Sequence, residues 1–171
     1  MLLWFVGTVV FSVHYVFNDP RFDYRLLLVG ALLPDLLDLP LGRAAWAHSV
    51  TVSVVVLAAV MLATAGRKPV RRLLLGLPIG MLLHLVWDGA FTATRVFWWP
   101  MSGGWGDHDV PSIGRGLWNL PLEVAGLLMV RAAWRRFGLS DPVRRRAVAH
   151  HGTLTLVTGV TPADEPRPAD G

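Results

Sequence analysis

Residues 73–91 read LLLGLPIGMLLHLVWDGAF, with Asp88 the one formal charge among them. A helix of about 20 apolar residues, rising 1.5 Å per residue, crosses the hydrocarbon core of a bilayer. The stretch therefore predicts a membrane-spanning helix, interrupted by Pro78, with His84 and Asp88 one turn apart on a shared face. Similar segments lie on both sides. Residues 44–66, AAWAHSVTVSVVVLAAVMLATAG, carry no formal charge and hold His48 near their start. Residues 1–18, MLLWFVGTVVFSVHYVFN, are also uncharged; without a basic n-region or a small-residue cleavage site they predict an uncleaved first helix. Leu26 to Leu33, closed by PDLLD, is too short to span and predicts a half-depth or re-entrant helix. A last span runs from about Leu117 to Trp134 and contains Glu123.

The expected fold is an all-α integral membrane bundle of four to five helices over residues 1–137, one of them short or re-entrant. A basic, then Pro- and Asp-rich cytoplasmic tail follows over residues 138–171, partly disordered. Composition agrees. Of 171 residues, 53% are hydrophobic and only 16% charged, against about a quarter charged in soluble domains. Mean hydropathy is +0.47, far from the polar composition of a disordered chain. With no cysteine, disulfides, thiolate metal sites and a cysteine nucleophile are excluded.

The basic residues collect at the ends of apolar runs, notably GRKPVRR (residues 66–72) and the arginines after Trp134. Positive loops stay cytoplasmic, so both of these groups are expected inside, with the Trp-rich loop 92–116 outside. The direction of the first helix stays open. Net charge +4 is the usual signature of nucleic-acid binding, but this distribution points to a lipid bilayer as partner and to no nucleic acid. Trp98, Trp99, Trp105, Trp118 and Trp134 suit anchoring at the membrane interface rather than base stacking. The expected location is a bacterial cytoplasmic (inner) membrane, crossed several times.

A carboxylate at bilayer depth costs several kcal/mol unless it is paired, hydrated or metal-bound, at about 2.5–3.5 kcal/mol on insertion scales. Yet Asp35, Asp38, His48, His84, Asp88 and Glu123 all lie in or beside apolar runs. The expected topology brings His48, His84 and Glu123 to nearly one depth, about 10 Å below the outer end for His84. Asp35 and Asp38, at i and i+3, share a face if the helix continues past Pro34. Two histidines with one or two carboxylates, and no sulfur, suit zinc first and manganese or iron as alternatives, with a coordination position left for water. The bland alternative is helix-to-helix glue. Glu123 is a candidate proton shuttle, or else pairs with Arg115 or Arg131. Asp107, His108 and Asp109 read as a solvated loop, and His150 and His151 as solvated tail residues. No GxSxG elbow, Walker loop, dinucleotide glycine fingerprint or HExxH occurs.

The ordered strings GALLPDLLD, AHS, GMLLHLVWD and FWWP, spread over residues 1–105, resemble a bacterial family: the membrane-bound, metal-dependent hydrolases known as LexA-binding, inner-membrane-associated hydrolases. That family's pattern of an early His, Gly-x-Leu-x-Pro-Asp-x-x-Asp, Thr-His-Ser, His-x-x-x-Asp and a later Pro falls here on His14, Asp35, Asp38, His48, Ser49, His84, Asp88 and Pro100. Two positions depart from it. Ala47 stands for the Thr, and the His of a preceding His-Arg pair is absent before Ala44-Ala45-Trp46-Ala47.

The resulting expectation is a divalent metal near the outer side, held by Asp35, His48, His84 and Asp88, with His14 a further ligand carried over from the resemblance. Asp38 stands in or just behind the ligand set, and Glu123 or a free Asp moves the proton. The reaction is hydrolysis of an ester or phosphoester in a lipid-like or amphipathic substrate. The rivals are a small transport or proton-relay protein, which with so few spans would need to form a homo-oligomer, and a non-catalytic membrane protein with a structural polar core.

Overall fold

The computed structural model describes residues 1–17, 22–103 and 116–154. Among these residues the chain is all-α, without strands. Its helices are α1 (Leu2–Phe17), α2 (Tyr24–Asp38), α3 (Val50–Ala63), α4 (Lys68–Asp88), the single turn α5 (Thr94–Phe97), α6 (Asn119–Arg136) and α7 (Pro142–His151). This exceeds the four to five helices expected, because α5 and α7 form in segments read as loop and tail. Helices form over the apolar runs expected to span, with trimmed ends. Among the described residues only α4 is long and apolar enough to cross a membrane by length and composition; α1 and α3 are shorter apolar helices. The Asp107-His108-Asp109 segment lies outside the described residues.

The core of the bundle is the pair α2 and α4. Gly76 and Gly80 on α4, four residues apart, expose bare backbone to α2, and Gly30 does so in return. A Cβ on Gly80 would collide with the Leu27 carbonyl oxygen and the Ala31 amide nitrogen; one on Gly30 would collide with the Leu77 carbonyl. The small-xxx-small spacing thus lets two backbones touch. α1 and α6 make a second close pair, at Gly7 and Gly126.

Two ends follow from the contacts. At one end, Asp35, His48 and His84 meet, and α1 begins beside them: Phe5 stacks on His84 at 4.1 Å, and the Trp4 indole donates to the Trp87 carbonyl at 3.3 Å. At the other end lie the starts of α2 and α4 and the end of α7. The Tyr24 amide donates to the Gly152 carbonyl at 2.8 Å, and Arg25 donates to the Ala149 and His150 carbonyls at 3.0 and 2.9 Å. α2 and α4 therefore run parallel, and α1, α3 and α6 run the opposite way. This gives the direction of α1 relative to the other helices of the bundle. It also makes the first part of the expected tail a docked element, since Leu139 and Leu154 pack on the core.

Candidate metal centre

Each ligand side chain has a local reason to be where it is. Pro34 removes the amide that would bond the Gly30 carbonyl, so α2 loosens one turn before its end while still carrying on to Asp38. Next to it, the Ala31 carbonyl accepts from His84 Nδ1 at 2.6 Å. Gly80 lies one turn before His84, so the glycine contact sets that distance. His48 sits in a 3-10 turn, Trp46–His48, and the next residue, Ser49, caps α3 by accepting from the Val52 amide at 3.2 Å. The cap stops α3 from running back through His48 and leaves the imidazole turned inward.

Asp38 organises this loop. It is buried, and one carboxylate oxygen takes the His48 Nδ1 hydrogen at 2.7 Å and the Ala45 amide at 2.6 Å. The other accepts from the Ala47 amide at 3.3 Å. The residue placed in or behind the ligand set thus stands behind His48, as the carboxylate partners of metal-bound histidines do.

The two imidazoles are oriented by these outer bonds. A carbonyl and a carboxylate can only accept, so in the neutral rings both Nδ1 atoms carry hydrogen and both Nε2 atoms present lone pairs. Those lone pairs converge. His48 Nε2 and His84 Nε2 are 3.4 Å apart, and Asp35 Oδ1 is 3.3 Å from the first and 3.5 Å from the second. Three electron-rich atoms in so small a triangle repel unless a cation lies among them. Donors about 2.0–2.1 Å from a tetrahedral ion stand about 3.3–3.4 Å from one another. The group Asp35, His48 and His84 could therefore hold a metal.

The centre is closed on three sides and open on one. His48 and His84 are buried, while the Asp35 side chain is 48% exposed. It borders a cavity of about 340 Å³ lined also by Asp38, Gly42, Arg43 and His48. Arg43 lines this cavity from an exposed position, and no hydrogen bond or ion pair joins it to a described residue. Sequence reading passed over Arg43, and over Gly30, Gly76 and Gly80, although the Gly-Leu-Pro-Ile-Gly spacing was a readable signal for close helix contact.

Three expected participants stand elsewhere. Asp88 is buried one turn beyond His84, outside the set of converging ligand atoms. His14 lies nine residues along α1 from Phe5, about 13 Å toward the basic end, where its ring meets Phe137 at 5.2 Å and Tyr15 at 5.3 Å. Glu123 lies beside the first turn of α1, where it accepts from the Trp4 amide at 3.1 Å. It satisfies one of the orphan donors in the first turn of α1, where a negative charge is favoured. The chain matches no family model, no curated protein and no solved structure.

Proposed function

We propose that the chain is a membrane-embedded, metal-dependent hydrolase of the kind it resembles, acting on a phosphoester or ester of an amphipathic substrate. The observation that carries this reading is the triangle of Asp35, His48 and His84, its edges those of a tetrahedral zinc site and its imidazole tautomers set by Asp38 and Ala31. Zinc suits a nitrogen- and oxygen-donor set of three with one position open; bound there, it would supply an acidified water and polarise the scissile group. The chain's own residues do the rest. Asp38 holds His48 in register, Phe5 packs against His84, and the half-exposed Asp35 faces the cavity from which substrate approaches. Arg43 at that mouth favours an anionic substrate, hence a phosphoester over a neutral ester.

The residence in a bilayer rests on what the fold leaves outside. Among the buried positions of α3 only Ser53 appears, whereas Val54, Val55, Met61 and Leu62 are exposed. A polar residue turned in and aliphatic residues turned out is the arrangement of a lipid-facing helix. The rival proton-relay reading has its own feature, the chain Asp38, His48, His84, although the facing Nε2 atoms both present lone pairs and no hydrogen joins the two rings. That chain ends on the Ala31 carbonyl, which has no proton to pass on, so the hydrolase reading is preferred.

The test is metal content. Detergent-purified chain is expected to hold about one zinc, and Asp35→Asn, a change at a half-exposed position, is expected to lose it while keeping its helical circular dichroism. Wild type that stays metal-free after incubation with zinc, manganese and iron would overturn the reading.

A further inference from the structure

A cavity of about 610 Å³ lies at the opposite end of the bundle from the metal centre. Its walls come from the start of α2, the first turn of α4 and the end of α7, and they carry Asp23, Arg25, Lys68, Arg72, His150 and His151. Two of these charges are already committed. The Asp23 carboxylate meets the Arg25 guanidinium at 2.6 Å, and that guanidinium also binds the last carbonyls of α7. Burial raises the Asp23 carboxyl, but its bonds from Arg25 prevail and leave it lowered and ionised. This pair and the Tyr24–Gly152 hydrogen bond form a braced floor. Lys68 and Arg72, four residues apart, project from one face of α4 beside it, both exposed. Beside the committed pair the cleft carries the positive charges of Lys68 and Arg72 and the imidazoles of His150 and His151.

We infer that this cleft binds a phosphate-bearing anion. Lys68 and Arg72 would grip the phosphate by charge-assisted bonds, and His150 and His151 would bond to its remaining oxygens. The observation is independent of the metal centre, since no residue is shared. Phosphate of this kind comes either from an anionic lipid headgroup at the basic face of the membrane or from a free phosphorylated solute.

The full chain in neutral detergent tests both sources. Native mass spectrometry with phosphatidylglycerol or phosphatidylcholine, and calorimetry with inorganic pyrophosphate, are run on wild type, on Lys68→Gln/Arg72→Gln, and on Arg144→Gln/Arg146→Gln. The last pair removes the same charge from α7 at positions that do not line the cleft. The cleft variant is expected to bind at least about tenfold more weakly, as the loss of bonds to a charged group implies, with the α7 variant near wild type. Selective retention of phosphatidylglycerol assigns the lipid source; pyrophosphate binding without it assigns the solute. Equal weakening in both variants would reduce the effect to bulk charge and overturn the site, as would failure of wild type to bind either probe.

Discussion

Replacing Asp38 by asparagine keeps the side-chain shape and removes its charge, and the hydrogen bonds show why the metal centre cannot absorb the change. The carboxylate accepts three hydrogens, from His48 Nδ1 and Ala45 on one oxygen and from Ala47 on the other. Asparagine has one accepting oxygen and one donating NH₂. If its oxygen faces His48 and Ala45, the NH₂ confronts the Ala47 amide, donor against donor. If the amide turns over, the NH₂ faces His48 and Ala45. The His48 hydrogen then moves to Nε2, and the lone pair aimed at Asp35 and His84 is lost. Either outcome weakens the centre without touching a ligand. Removal of such an outer partner costs about 10- to 100-fold in metal affinity, or about 1.4–2.8 kcal/mol. The assay is zinc titration against a chromophoric chelator in detergent, with thermal unfolding of the metal-free protein run alongside to separate affinity from folding. An unchanged zinc affinity in Asp38→Asn would refute the role given to Asp38 and, with it, the tautomer argument for the site.

Two further outcomes follow from the same geometry. Gly80→Ala puts a methyl group into the backbone of α2, so α2 and α4 must part. Overpacking of this kind costs about 1–3 kcal/mol, and thermal unfolding should show that loss together with weaker zinc binding, because the 2.6 Å bond from His84 to Ala31 lies one turn away; a stable variant with full zinc affinity would refute the close contact. Zinc binding should also depend on pH. The ion needs the lone pairs of both Nε2 atoms and must displace any proton bound there, so apparent affinity should fall as the solution is taken from about pH 8 to about pH 5. A flat profile over that interval would contradict imidazole ligation.

Much of the bundle was legible because it depends on local pattern. Apolar runs, their lengths and their basic ends locate α1, α3, α4 and α6. Pro34 with PDLLD points to a short or re-entrant second helix, whereas α2 continues through Pro34 to Asp38 and, at 15 residues, is no shorter than the 14-residue α3. His48 and His84 stand out as polar residues in apolar surroundings. What pattern does not supply is direction. The i, i+4 spacing correctly sets Asp88 over His84, yet a shared face does not bring both onto a third point, and the ligand atoms that converge are those of Asp35, His48 and His84. His14 depended on the unknown sense of α1. Glu123 was rightly expected to need a partner, but the partner is a backbone amide, which no residue letter records. Gly76 and Gly80 were readable as a contact motif, whereas their counterpart Gly30 becomes one only when α2 is laid alongside.

The parallel pairing of α2 and α4 is what gives the molecule two distinct ends. Their starts carry Asp23, Arg25, Lys68 and Arg72; their ends carry Asp35, Asp38 and His84. Two antiparallel helices would have put Lys68 and Arg72 beside Asp35 and Asp38, where the cations would pair with the carboxylates and compete with any metal. Parallel helices need a long connection, and here it is the His48 turn together with α3, which returns the chain from one end to the other. That connection delivers the third ligand. The segment that separates the charges of the two ends is therefore the one that completes the centre, and the backbone contact at Gly30, Gly76 and Gly80 keeps the pair in register.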